Sequence, residues 1–208
     1  MGALTGAMTT TAYYTKGTRP DDFRDQYLEA LTKHRFREID LNTDHTESMG
    51  WVSAHDAFDT AFDLNKVLWG NYYVISFRWD RIRIPANTLK MYIGQASRER
   101  MESLGKETLT RDEKDEIKDM VEKQLRRRIL PSIQIYDVVW SLDRDMAWVF
   151  TGSKTVNENI QTYFGDTFGF TMVPRTPYTE AGNAGLSAEE LERMTLLDPT
   201  VFAVSAGR

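Results

Sequence analysis

The residues best equipped for chemistry lie between Ala54 and Asn65, where the sequence AHDAFDTAFDLN sets His55 and Asp59 four apart with Asp56 and Asp63 close by. From that spacing a metal site or an acid–base pair could be built, and a divalent-metal nuclease using Asp56, Asp59 and Asp63 is the catalytic reading. One histidine among scattered carboxylates in an acidic chain is more often plain surface. Neither a GxGxxG nor a GxxxxGK[ST] phosphate loop occurs, and a GxSxG elbow is absent as well. The chain has no cysteine, which excludes disulfides, thiolate metal ligands and cysteine nucleophiles; His34, His45 and His55 are its only histidines, too few for a typical zinc enzyme. The expectation is therefore a protein that is not an enzyme and has no metal or cofactor. Binding is the function class left.

For binding, the best candidates are cations: Arg78, Arg81, Arg83, Lys90 and the run Arg126, Arg127, Arg128. The net charge of −5 would ordinarily argue against a nucleic-acid partner, but its distribution qualifies that. Residues 78 to 128 hold fourteen Lys and Arg against ten Asp and Glu, so the other 157 residues carry a balance of −9. A locally basic centre between acidic flanks suits a protein that presents one positive surface. The competing view is a solvated, dipole-matched helix face, because Asp112, Glu113, Asp115 and Glu116 crowd the start of the same helical segment and the arginines its end.

That segment, Thr110 to Pro131, organises the chain. Thr110 three residues before Glu113 is a capping box, Pro131 forbids continuation, and Ile117, Met120, Val121, Leu125 and Ile129 form one apolar stripe. Ahead of it, Tyr72 to Pro85 (YYVISFRWDRIRIP) reads as the strongest strand. Tyr73, Ile75, Phe77 and Trp79 share a face, whereas Ile82 and Ile84 fall on the other, which predicts a bulge or a move between sheets near Asp80. Arg78, Arg81 and Arg83 are then displaced outward as a basic ribbon, or as the charges of an edge strand.

Other elements follow by the same rules. Residues 7–16 read as a strand, Asp21 or Asp22 caps a helix that buries Phe23, Tyr27, Leu28 and Leu31, and Phe36 to Leu41 reads as a short strand. Gly50-Trp51-Val52 opens a hydrophobic run, and Ala86 to Ser103 is a helix with Leu89, Ile93 and Ala96 inward, broken by Gly105. Two β-rich runs flank a hairpin signal at Asp143-Arg144-Asp145; Lys154 to Gly165 is helical, and Phe170 to Val173 makes a last strand. The mixed order of strands and helices predicts an α+β fold with mainly antiparallel sheet and flanking helices. Residues 1–174 form the main region, with a subdomain division near 105, and 175–208 a C-terminal extension. That extension is polar and turn-forming at first, then holds a short helix capped by Ser187 and Glu190 and a final segment, Pro199 to Arg208, expected to dock on the domain or a partner. No apolar run could span a bilayer and no secretory leader is visible at the start, so a cytoplasmic location is expected.

In serial order, Gly50-Trp51-Val52, a strand ending in Arg, Ile and Pro85, the charged helix DEKDEIKDMV, a two-strand unit around Ser141-Leu142-Asp143, and Lys154 to Phe168 followed by Gly169 cover about three fifths of the chain. In that order it resembles the recombination-associated protein RdgC family. The resemblance implies an RdgC-like fold and sequence-nonspecific DNA binding, with double-stranded DNA as partner and a nucleoid-associated location. It further implies a homo-oligomer, a dimer being favoured, whose ring encloses a positively charged hole, and antagonism of a RecA-type recombinase. It also implies that Arg81, Arg83, Lys118, Arg126 and Arg127 line such a hole. Better-known members are longer, and where they carry a Leu-Leu-Pro-Arg pattern this chain has Arg128-Ile129-Leu130-Pro131. A chain of 208 residues has a radius of gyration of roughly 17 Å, so one subunit cannot encircle a duplex. The alternative function is an interaction or assembly module that uses its aromatic strand and acidic flanks to bind protein.

Overall fold

Alternation of apolar and polar side chains, interrupted by helices, builds one antiparallel sheet whose core face is covered by two helices, while two short C-terminal helices lie against the other face beside Tyr14 and Lys16. The structure is a computed structural model and describes Ala3 and residues 9–197. In chain order the elements are β1 (Thr11–Lys16), α1 (Phe23–Lys33), β2 (Glu47–Ser53), α2 (Leu64–Val67), β3 (Leu68–Trp69), β4 (Tyr72–Arg81) and α3 (Ala86–Leu104). They continue as α4 (Arg111–Arg126), β5 (Ser132–Ser141), β6 (Met146–Val149), α5 (Lys154–Phe168), β7 (Thr171–Pro174), α6 (Pro177–Asn183) and α7 (Ala188–Thr195). The sheet runs β2-β4-β5-β6-β1-β7 with β3 added beside β4, and every pairing between these strands is antiparallel. The α+β class with a mainly antiparallel sheet and flanking helices is therefore what the chain adopts.

One face of the sheet carries the core. Trp51, Tyr73, Ile75, Phe77, Trp79, Val138 and Trp140 meet Tyr27 and Leu31 of α1 and Ile160, Phe164 and Phe168 of α5. Aromatic rings dominate it and meet mostly edge-on or tilted, as around Trp140, whose centroid lies 5.0 Å from those of Phe164 and Phe170. Two buried polar tips find partners across the core: Trp51 Nε1 donates to Thr167 Oγ1 at 2.8 Å, and the Tyr13 hydroxyl to Asn157 Oδ1 at 2.9 Å.

Several expectations are corrected. Phe36 to Leu41 forms no strand; Arg35 makes a single parallel bridge to Trp51, Phe36 buries its ring, and the chain then turns at Asp40. There is no bulge near Asp80, since β4 pairs without interruption with β2 up to Glu47–Arg81 and with β5 up to Arg81–Ser132. The apolar phase changes because the strand ends there and Ile84 joins a second, smaller core. Pro177–Asn183 is a helix closed by a Thr176–Thr179 capping box, where the composition suggested only turns. The hairpin at Asp143–Asp145 forms as expected, with Asp145 at φ 49. Pro199 to Arg208 lies outside the described residues.

The β4–β5 connection is where this fold does something specific. Between the paired residues Arg81 and Ser132, residues 82–131 leave the sheet as a helical arm, α3 out and α4 back, turning at Gly105, whose left-handed φ of 62 caps α3. The helices extend about 28 Å and about 24 Å. They pack chiefly on each other. Ile117, Val121 and Leu125 of α4 and Leu109 make the arm's core with Leu89, Ile93, Ala96 and Met101, and no residue of α3 is fully buried. The Thr110–Glu113 capping box forms as its sequence requires. Met120, assigned to the buried stripe, is instead 56% exposed.

Candidate nucleic-acid interface

The expected cations divide into two groups. Arg78 is not displaced outward; it is 5% exposed. Alternation on β4 puts it on the sheet face opposite α1 and α5, but at this point that face is roofed by the segments around Phe36 and Phe58. Its guanidinium makes a two-pronged contact with Asp80, Nε to Oδ1 at 2.8 Å and Nη2 to Oδ2 at 2.6 Å. Nη1 donates to the Ala57 carbonyl at 3.0 Å, and the rings of Phe36 and Phe58 lie 4.1 and 4.8 Å from the guanidinium carbon. Beside it Ser76 donates to the buried Asp137 carboxylate. Arg78 is thus the pin that fastens two loops to the sheet, and it presents nothing to a phosphate.

Arg126 is also largely withdrawn, its side chain 15% exposed between Asp44 at 3.4 Å and Glu122 at 3.9 Å. Lys118 is exposed midway along α4, with Glu122 at 3.9 Å. Arg81 is half-buried, donates to the Gln134 side chain, lies 4.2 Å above the Trp79 ring, and faces Glu47 across the β2–β4 ladder.

Arg83, Lys90, Arg127 and Arg128 remain exposed and form no ion pair among the described residues. The topology gathers them at one place. Arg83 follows the last β4 pair, Lys90 lies in the second turn of the outgoing helix, and Arg127 and Arg128 close the returning helix just before β5. All four sit at the base of the arm, where it joins the sheet. Residues 82–131 carry twelve Lys and Arg against nine Asp and Glu, while the rest of the chain has a balance of −8. The arm is a positive projection from a negative body.

The acidic cluster has a different use. Asp59 accepts from Lys66 Nζ at 2.8 Å and from Ala61 N at 2.9 Å, and those bonds hold its carboxyl below the usual range. Asp56 accepts from Phe58 N, Asp63 caps α2, and the His55 ring stacks on Trp69 with centroids 5.0 Å apart. Each carboxylate shapes a turn. Among the described residues no group of three or more His, Asp or Glu is arranged to hold a metal ion.

Sequence reasoning missed the apolar residues displayed on the arm. Met91 is 74% exposed and Leu130 89%, with Tyr92 also outward; Met91 and Tyr92 share a shallow groove on α3 with Lys90, Gln95 and Arg98. Their signal was their position one or two residues off the inward Leu89–Ile93–Ala96 row. Among the described residues no helix is long and apolar enough to cross a membrane. No family model matches the chain, and no curated protein matches it.

Proposed function

We propose that the protein is a non-enzymatic, oligomeric, sequence-nonspecific DNA-binding protein of the RdgC type. It holds duplex through phosphate contacts from the base of the arm, and by occupying DNA it limits the access of a RecA-type recombinase; its location is then the cytoplasm, on the nucleoid. The observation that carries this reading is the position of Arg83, Lys90, Arg127 and Arg128, exposed and in no ion pair among the described residues, at the root of a net-positive projection. Guanidinium groups suit phosphate oxygens because their donors form a planar fork. The serial order of motifs from Gly50 to Gly169 supports the same reading.

A gel shift at low salt with unlabelled heterologous duplex as competitor tests it. The expected result is a shifted complex that any duplex competes away equally well; absence of a complex at low salt contradicts the proposal. A second reading, a protein-docking module, is favoured by the exposed Met91, Tyr92 and Leu130 on the arm. It predicts no shift at any salt concentration and a loss of partner binding on Met91→Asp.

A further inference from the structure

We propose that the outward face of α4 is a self-docking surface for a second copy of this chain, the two helices lying antiparallel about a two-fold axis between Asp119 and Met120. The proposal concerns protein–protein contact and stands independently of the nucleic-acid reading.

At about 100° per residue, Asp112, Glu116, Met120, Lys123 and Arg127 fall in one sector of α4; Asp112 and Lys123 point away from the Ile117–Val121–Leu125 stripe, while Glu116 and Met120 border the seam beside Ala96, Glu99, Arg100 and Ser103 of α3. A surface groove runs along this sector, lined by Glu116, Asp119, Met120, Lys123, Gln124, Arg127 and Arg128. Met120 lies at its middle with more than half its surface exposed. The charges here differ from those on the flanks of the same helix. Glu113 is paired with Lys106, Lys118 with Glu122, and Arg126 with Asp44 and Glu122. Asp112, Glu116, Lys123 and Arg127 make no ion pair among the described residues.

Their spacing is also unfavourable within a single chain. Asp112 and Glu116 are like charges one turn apart, and so are Lys123 and Arg127, an arrangement that repels at i,i+4. An antiparallel copy reverses both conflicts. With the axis between Asp119 and Met120, Lys123 faces the second copy's Glu116 and Arg127 faces its Asp112, and the symmetry repeats each pair. Around the helix Glu116 and Lys123 lie about 20° apart and Asp112 and Arg127 about 60° apart, so the inner pair meets most directly. A parallel copy would set acid on acid and base on base. A wholly anionic or wholly cationic ligand would satisfy only one half of the row. Self-complementarity of charge therefore selects a second copy of the chain as occupant. Arg127 and Arg128 border both this face and the base of the arm; Arg83 and Lys90 belong to the base alone.

The test is sedimentation of the full chain at low salt without nucleic acid. The expected result is reversible self-association that Glu116→Lys or Lys123→Glu alone weakens by at least about tenfold, that the double variant Glu116→Lys/Lys123→Glu restores, and that high salt suppresses. Because the chain has no cysteine, Met120→Cys supplies a single probe that should cross-link to a disulfide dimer on oxidation, whereas Met91→Cys on the far side of the arm should not. A chain that stays monomeric at low salt at all concentrations overturns the proposal. So do single charge reversals that associate like the wild type, a double variant that fails to recover, or efficient cross-linking through position 91 only. None of these outcomes would affect the gel-shift result.

Discussion

Replacing Arg78 with alanine removes the guanidinium but leaves Asp80, itself 2% exposed, charged beneath the loops around Phe36 and Phe58. Four contacts vanish together: both prongs to Asp80, the bond to the Ala57 carbonyl, and the stacking between two aromatic rings. Breaking one partner of a buried ion pair costs about 3–5 kcal/mol, chiefly because the surviving charge is uncompensated. For a chain of this size each kcal/mol moves the midpoint by about 2–4 °C, so Arg78→Ala should lower Tm by about 6–20 °C. Arg78→Met with Asp80→Leu removes both charges and keeps apolar volume, so the pair should regain at least half of that loss. The assay is thermal unfolding followed by near-ultraviolet circular dichroism, which reports the tryptophan-rich core, with calorimetry for the enthalpy. A fall of less than about 3 °C, within the range of ordinary surface substitutions, would refute the reasoning. So would a variant of unchanged stability that has lost DNA affinity, since Arg78 would then be acting at the surface.

Glu113 gives a pH prediction. The Lys106 ammonium bonded to its carboxylate, followed by the Thr110 backbone N–H, pulls its pKa from 4.5 down to about 2. A depressed folded value means that the group stabilises the arm above the unfolded pKa, so this contribution is lost as pH falls from 4.5 through about 2. An NMR titration of Glu113 should show the low midpoint, and one near 4.5 would contradict the contact. At Gly50 a Cβ would lie 2.4 Å from both Cα and N of Phe36, backbone atoms that cannot step aside. Gly50→Ala should therefore destabilise by at least about 1–3 kcal/mol in chemical denaturation, and a neutral result would show that the 34–36 segment is not held against β2. Burial pushes the Tyr27 and Tyr73 phenols up to about 12, and neither hydroxyl has a protein partner among the described residues. Tyr27→Phe should leave stability unchanged or raise it, and a loss above about 1 kcal/mol would reveal a hydrogen bond that the hydroxyl makes.

The sequence was most readable where a local rule and the tertiary environment agree. The α4 start is fixed by Thr110 and Glu113, the β4 core face by alternation from Tyr73 to Trp79, and the hairpin by the turn at Asp143–Asp145. It misled where packing overrides local preference. Phe36 to Leu41 has strand-like composition, but past Phe36 it pairs with no strand, and the Asp40 carboxylate closes a turn instead. Met120 keeps the period of the α4 stripe yet stays more than half exposed at the edge of the α3–α4 seam, because two helices alone cover only a narrow strip. The site was half legible. Alternation correctly put Arg78 on the opposite face from Phe77, and outward there meant solvent only if nothing lay over the sheet. The covering loops carry no periodic pattern, so the one available hint was Asp80 two residues along the same strand, on the same side. Arg83 and the Arg127–Arg128 pair, by contrast, are exposed as expected, but their placement at one end of the arm follows from the pairing of Arg81 with Ser132, which no local pattern announces.

If the exposed cations at the base of the arm touch phosphate, the salt dependence of duplex affinity must differ between the wild type and the triple variant Arg83→Ala/Arg127→Ala/Arg128→Ala. With four such contacts from each of two subunits, log affinity should fall with log salt at a slope of about −7. The triple variant leaves only Lys90 and should bring that slope to about −2, with Tm almost unchanged. Equal slopes for the two proteins, or no measurable duplex binding by the wild type at low salt, would contradict those contacts.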